Sequence, residues 1–314
     1  AGGGKFCSKL FNATRFAMIN GATVPDSTLE PGGLTPADRW ILDRLDEVIT
    51  QTTDLLGDFQ FGKAAEGLYH FAWDEFCDWY LELAKIQIAG AATDTAAGAD
   101  RVDTTRAVLG TVLDALLRLL HPFVPYVTET LWTSLTGGES LVIASWPQPS
   151  GRSGEPSASS WVADAQALVT EIRRFRADQS LAPSRKVPAT LTATSDTSEA
   201  LLATAAALTR LESADDSFSA TAEIQLALST GVAVTVRVDT SSTIDTAAEK
   251  ARLSKDLAAA QKEIADTAKK LGNPEFIGKA PVAVVDKIRA RAAKAAADAD
   301  NLTTRLTALD GSVT

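Results

Sequence analysis

Lys5-Phe6-Cys7-Ser8-Lys9-Leu10-Phe11-Asn12-Ala13-Thr14-Arg15-Phe16 reads as an amphipathic helix already in progress near the start of the chain. Phe6, Leu10, Ala13 and Ala17 fall on one stripe at helical spacing. No Ser, Thr, Asp, Asn or Pro opens the segment after Ala1-Gly2-Gly3-Gly4, whereas a helix built to begin there normally carries one. The pattern predicts a helix entered from upstream, hence a module of a longer protein, with Ala1 to Gly4 as its severed edge.

Working outward, the helical pattern continues to about residue 136 and predicts a bundle of about four helices. Thr35-Pro36-Ala37-Asp38 supplies a cap, a first-turn proline and an acid at N3, and Trp40, Ile41, Leu45, Val48 and Ile49 form the buried stripe that follows. A second helix starts near Gly62 and carries Leu68, Phe71, Ala72, Phe76, Trp79 and Leu83 on one side, with Trp73 and Tyr80 widening the apolar surface. A third runs from Arg101 to Leu120 and stops at His121-Pro122; a short one runs from Pro125 to Leu135 and closes at Gly137-Gly138. Leu141–Trp146 reads as extended and 147–160, rich in Pro, Gly and Ser, as a linker.

Residues 161–243 predict a small α/β domain: a helix from Trp161 to about Ala177, a strand at Val187–Thr192, a helix near Ser198–Leu211, and paired strands at Glu223–Ser229 and Val232–Val238. After it, Leu253, Leu257, Ala260, Ile264, Thr267 and Leu271 step by four and three. Beyond a Gly272-Asn273-Pro274 break, Val285, Ile288, Ala292, Ala295, Ala299, Leu302, Leu306 and Leu309 repeat the alternation. Two such seams predict an antiparallel coiled-coil hairpin with arms of roughly 37 Å. The expected class is therefore mainly α: a helical bundle over 1–149, a linker at 150–160, a small α/β domain over 161–243 and a coiled-coil arm over 244–314.

Composition narrows the function. No apolar run approaches the roughly 20 residues that span a bilayer, and the start lacks a signal-peptide pattern, so neither a membrane nor export is expected and the cytoplasm is the expected compartment. Cys7 and Cys77 with His70 and His121 show no paired ligand spacing, so no metal is expected. The net charge of −10 argues against non-specific nucleic-acid binding, but it conceals an asymmetry. Residues 1–150 carry −9, 151–245 carry −4 and 246–314 carry +3.

No catalytic constellation is visible. Two histidines leave no His-x-Gly-His motif, the single Met18 excludes a Lys-Met-Ser-Lys-Ser loop, and phosphate-loop and nucleophile-elbow patterns are absent. Lys9 and Phe16 lie two turns apart on one helix face. A cation beside an aromatic plate suits an unstacked base and its phosphate; the same spacing also fits a snorkelling lysine and a core phenylalanine. Arg173, Arg174 and Arg176 with Arg185-Lys186 form a basic cluster that is either a binding surface or a solvated helix face. Lys262, Lys269, Lys270, Lys279, Lys287, Arg289, Arg291 and Lys294 crowd the hairpin tip and its flanks, where the arm reaches furthest.

Three stretches together carry a family resemblance: Lys5 to Phe16; Trp73-Asp74-Glu75-Phe76-Cys77-Asp78-Trp79-Tyr80-Leu81-Glu82; and Leu120-His121-Pro122-Phe123-Val124-Pro125-Tyr126-Val127-Thr128-Glu129-Thr130-Leu131-Trp132. They resemble the anticodon-binding domain of class I aminoacyl-tRNA synthetases of the valyl, isoleucyl and leucyl group. Leu271-Gly272-Asn273-Pro274-Glu275-Phe276, with Lys279-Ala280-Pro281 and Val284-Val285 between two heptad helices, resembles the C-terminal coiled coil of the valyl branch. Ile172-Arg173-Arg174-Phe175-Arg176-Ala177 with Pro183-Ser184-Arg185-Lys186 resembles that branch's connecting segment.

The resemblance implies that Lys9, Phe16 and Leu81 touch anticodon bases, with Asn12 and Arg15 as further candidates. It implies that Arg291 contacts the tRNA elbow, supported by Lys262, Lys269, Lys270, Lys287 and Lys294. Asp266 departs from an arginine position of the family's first coiled-coil helix, which shifts that arm's elbow contact toward Lys262 or Lys269. The implied partner is valine tRNA, with the catalytic and editing part of the same synthetase supplying ATP-dependent chemistry; this chain carries no cofactor, is inactive alone and is a monomer. The competing class is a protein-interaction module whose basic hairpin docks another protein.

Overall fold

The first unit of the chain is organised by a helix whose start is fixed by its own side chains. In the computed structural model, which describes residues 2–25, 29, 33–90, 95–152, 154–179, 181–194, 199–216, 218–240, 246–272 and 282–311, Pro36 opens helix α2 (Pro36–Gly57) behind a complete capping box. Thr35 Oγ1 accepts the Asp38 amide, and Asp38 Oδ2 accepts the Thr35 amide and hydroxyl. Helix α1 (Gly2–Ile19) lies before it and buries the expected Phe6, Leu10, Ala13 and Ala17. Contacts divide the chain into two units, Ala1–Val238 and Asp239–Thr314.

The helix expected from Gly62 begins at Phe61 and is one continuous element of three windings: α3 (Phe61–His70), a π-helical stretch (Phe71–Tyr80) and α4 (Leu81–Gly90). Its widened middle buries Phe71, Ala72, Phe76 and Tyr80, and π-helical turns are concentrated at functional sites. Helix α5 (Ala96–Leu120) starts earlier than the expected Arg101, because Thr95 caps it by accepting the Gly98 amide. Its apolar face includes Leu109, Leu113, Leu116 and Leu117, all fully buried. Each such side chain contributes about 1.5–3 kcal/mol relative to exposure.

Gly110 on α5 permits a close crossing: a Cβ there would sit 2.0 Å from the Thr23 carbonyl oxygen, while the Thr23 amide donates to Arg106 O. Helix α6 (Pro125–Thr136) ends at Gly137, whose φ of 71° is the left-handed cap that glycine suits. Leu141–Trp146, expected to be extended, instead opens with a 3-10 turn, Leu141–Ile143. Ser140 Oγ accepts the Val142 amide and Glu129 accepts the Leu141 amide, so two side chains satisfy the turn's donors.

The Pro, Gly and Ser-rich stretch expected as a linker is strapped along α2. Trp146 Nε1 donates to Thr53, the Ser150 amide donates to Asp46 and the Glu155 amide donates to Asp43. Arg39 pairs with Glu155 at 3.0 Å. Helix α7 (Pro156–Asp178) then starts at a first-turn proline, five residues before the expected Trp161, and packs on α2.

A four-stranded sheet follows in the order β2-β1-β4-β3. It comprises β1 (Val187–Ala193), β2 (Leu211–Ser213), β3 (Ala222–Ala227) and β4 (Ala233–Val238), with helix α8 (Glu199–Thr209) between β1 and β2. The crossover makes β1 and β2 parallel, Val187 facing Leu211, whereas β1–β4 and β3–β4 are antiparallel. The sequence pattern predicts a helix through Leu211; three residues too short to alternate visibly become β2 instead. Asp164 on α7 accepts the Ser229 amide and hydroxyl and the Thr230 hydroxyl, fixing the β3–β4 turn to the helix.

The second unit is a hairpin of α9 (Thr246–Leu271) and α10 (Val282–Gly311). Leu253, Thr267, Val285, Ala295 and Ala299 are buried at the predicted seam positions. Leu309 and the Asn273–Pro281 break lie outside the residues whose side chains are described.

Two consequences are testable. Tyr80 donates to the fully buried Asp38 Oδ1 at 2.7 Å; Tyr80→Phe strands that oxygen and is expected to lower the unfolding free energy by about 1–3 kcal/mol in urea titration. Asp164 is 2% exposed; burial alone would raise its carboxyl, but its hydrogen bonds from Thr230 and Ser229 outweigh that and hold it below its usual 3.8. Its stabilising effect is therefore complete above that value and is lost as pH falls through the lower folded-state value. Asp164→Asn is expected to be clearly less stable than the parent at pH 7 and to close the gap as the pH falls through the lowered folded-state value; a gap independent of pH contradicts this.

Candidate nucleic-acid interface

Lys9 emerges from α1 toward the π-helical stretch. Its Nζ lies 2.5 Å from Asp78 Oδ1 and 3.8 Å from the centroid of the Trp73 ring, so an ion pair and a cation–π contact fix one ammonium from two sides. Trp73 stacks on Tyr69 at 5.6 Å and 20°, and Tyr69 lies 5.3 Å from Phe6. An aromatic ladder thus runs from the α1 core stripe to the lysine. Below it, burial pushes the Cys77 thiol up to about 12, which keeps it protonated and unreactive at neutral pH.

Two turns along α1, the half-buried Phe16 ring has Lys85 Nζ 5.3 Å from its centroid. The Lys9–Asp78 and Phe16–Lys85 contacts bracket Leu81 in the facing helix. Lys9 and Phe16, implied together with Leu81 by the family resemblance, therefore face the continuous 61–90 helical element at points on either side of Leu81 in sequence. Leu81 is only 6% exposed and is mostly core. Asn12 and Arg15 are exposed on α1 and make no side-chain hydrogen bond or ion pair among the described residues. Trp73, Asp78 and Lys85 were missed by sequence reasoning, which assigned Trp73 to the apolar surface alone. A carboxylate beside aromatic residues was the available signal.

In the hairpin, Arg291 Nη2 lies 2.6 Å from Glu263 Oε1 on the other helix. The two helices form an open groove of about 850 Å³ whose lining includes Asp256, Glu263, Arg291, Lys294, Asn301 and Leu302. Lys262, Lys269, Lys270, Lys287 and Lys294 are exposed and carry no ion pair among the described residues. Asp266 is exposed on the same helix as Glu263. Arg291 is thus paired across the hairpin rather than a free cation. Lys279 falls outside the described residues.

Residues 38–191 match the anticodon-binding domain of tRNA ligase, and residues 245–310 match the valyl tRNA synthetase tRNA binding arm. The chain belongs to the valyl-tRNA synthetase family. It is 55% identical over 305 residues to the valine–tRNA ligase of Nocardia farcinica, covering 97% of this chain and 33% of that protein. It is 52% identical over 306 residues to that of Corynebacterium efficiens and 51% identical over 308 residues to that of Mycobacterium leprae, with the same 33% of each covered. The chain therefore spans about a third of the length of the curated relatives it matches. Within the family, the bundle described above is the anticodon-binding domain and the hairpin is the tRNA-binding arm. No described helix is long and apolar enough to cross a membrane.

The burial difference separates Leu81, a core residue, from the exposed Asn12. Leu81→Ala is expected to cost about 2–5 kcal/mol of stability as a core truncation, whereas Asn12→Ala, at an exposed unpartnered position, stays within about 0.5 kcal/mol. Thermal or urea unfolding of the two variants measures this directly.

Proposed function

We propose that this chain is the tRNA-holding part of a valine–tRNA ligase, reading the anticodon of valine tRNA with the α1–α4 seam and supporting the tRNA elbow with the hairpin. The catalytic part of the same enzyme joins valine to the tRNA with ATP and hydrolyses mischarged product; this chain carries neither step. In this reading the protein is a monomer and works in the cytoplasm.

The seam's arrangement carries the proposal. Lys9 is clamped by Trp73 and Asp78, which lowers the entropy lost when its ammonium engages a base edge or phosphate. Phe16 presents part of a ring beneath Lys85, a plate for one unstacked base. Asn12 and Arg15 stand exposed on the same helix with unspent donors and acceptors, and Leu81 supplies the apolar floor. On the hairpin, phosphate contact falls to Arg291, Lys262, Lys269, Lys270, Lys287 and Lys294, whose charges sit on a segment of net +3 in a chain of net −10. The docking-arm alternative lacks an equivalent of the Lys9 clamp.

Phe16→Ala is expected to weaken valine-tRNA binding by about 1–3 kcal/mol, the worth of one stacked base. Filter binding with valine tRNA and an anticodon-swapped control checks it: equal affinity of variant and parent for valine tRNA removes the stacking role.

A further inference from the structure

Arg176 is the one buried guanidinium among the described residues. It sits on α7 at 5% exposure and makes no ion pair with a described acid; Nη2 donates to the carbonyls of Ala182 at 2.9 Å and Arg185 at 2.6 Å, while Nη1 is buried and unpaired. A buried cation without a counter-charge is costly. Burial and the neighbouring Arg210 both press its pKa below the usual arginine value. The protein has thus placed one positive charge under a surface that already holds others of the same sign.

The topology collects those others. Arg176 holds the 181–186 loop by its carbonyls, and the loop carries Arg185 and Lys186 straight into β1. The Val187 amide donates to Arg210 O at 3.0 Å, and Val187 faces Leu211 in the parallel pair, so Arg210 borders the loop. Arg173 lies one turn before Arg176 on α7. Arg173, Arg185, Lys186 and Arg210 are all exposed. Lys186 is 3.9 Å from Glu212, and Glu171 is engaged at 3.2 Å by Arg174. Arg210 holds a φ of 58°, a left-handed conformation that costs a non-glycine residue energy.

We propose that this end of the α/β module is a second RNA-backbone site, in which Arg173, Arg185, Lys186 and Arg210 hold phosphate groups over the buried charge of Arg176. The site rests on the reading of the chain as a tRNA-binding protein and extends it from the bundle and the hairpin to the module between them. Arg176 contributes as a positioning residue: it fixes the loop and adds a charge that solvent screens little, while the four exposed cations make the contacts. Phosphates carry no base identity, so the site adds affinity uniformly across tRNA sequences.

The test uses the full 314-residue chain and the double variant Arg173→Ala with Arg210→Ala, both exposed positions that leave the Arg176 hydrogen bonds in place. Filter binding to valine tRNA is measured from roughly 50 to 200 mM salt, the range over which phosphate contacts dominate, with unfolding curves as a folding check. The expected result is a several-fold loss of affinity, a log–log salt slope shallower by about one for each phosphate contact removed, and the same fold loss on the anticodon-swapped tRNA. Unchanged affinity and slope, with Phe16→Ala still weakening valine-tRNA binding, overturn this site alone. A loss confined to valine tRNA also overturns it, because it makes the cluster a base reader. Failure of the parent to bind any tRNA overturns the functional reading together with the site.

Discussion

The buried carboxylate of Asp38 is the constraint on which the anticodon-binding bundle depends. It accepts from the Thr35 amide and hydroxyl at the start of α2 and from Tyr80 at the end of the π-helical stretch. Thr35 Oγ1 in turn accepts from Gln87 on α4, whose Oε1 accepts from Thr105 on α5. Four helical segments are joined through one chain of hydrogen bonds in a water-poor interior. Such a network is stabilising only when every member is satisfied, and burial raises the Asp38 carboxyl despite the bonds from Tyr80 and Thr35 that oppose it. What it secures is register: Tyr80 cannot slide along α2 without stranding the carboxylate. Because Lys85 follows Tyr80 on the same continuous helix, the cap of α2 sets the height of the ammonium that lies over Phe16.

The π-helical stretch is the second part of that argument. A uniform α-helix from Phe61 to Gly90 would rotate every residue after Phe71 relative to those before it, since the wider turn uses more residues per winding. With the wider turn, Phe71, Phe76 and Tyr80 all reach the core while Trp73 and Asp78 both reach Lys9. One irregularity therefore serves packing and the seam together.

Much of this was legible in the residues, and the failures have physical causes. The Thr35-Pro36-Ala37-Asp38 start, the α1 stripe and the two coiled-coil seams were legible because each is local: caps and three-four periodicity are written within a few residues of chain. Lys9 and Phe16 were legible as a pair for the same reason. Their partners were not, since Asp78 and Lys85 lie 69 residues or more away in the chain and no spacing rule spans that distance. The π-helical winding was hidden because its residues have the composition of an α-helix. The supposed linker misled because Pro, Gly and Ser lower regular structure without saying whether the backbone is free; here Asp43, Asp46 and Thr53, distant on α2, accept its donors.

Charge is unevenly placed along the chain. The net charge of −10 repels nucleic acid at long range, so productive contact needs cations held where the acidic surface does not cancel them. Three cations in the chain are held in different ways. Lys9 is held by an aromatic face as well as an acid, Arg291 is paired across the hairpin to a carboxylate, and Arg176 is buried at 5% exposure. Lys9 and Arg291, held in place, have fewer conformations to lose on engaging an anion than a lysine free in solvent. A few fixed cations differ in this from a uniformly basic surface, whose affinity for nucleic acid rests on counterion release alone.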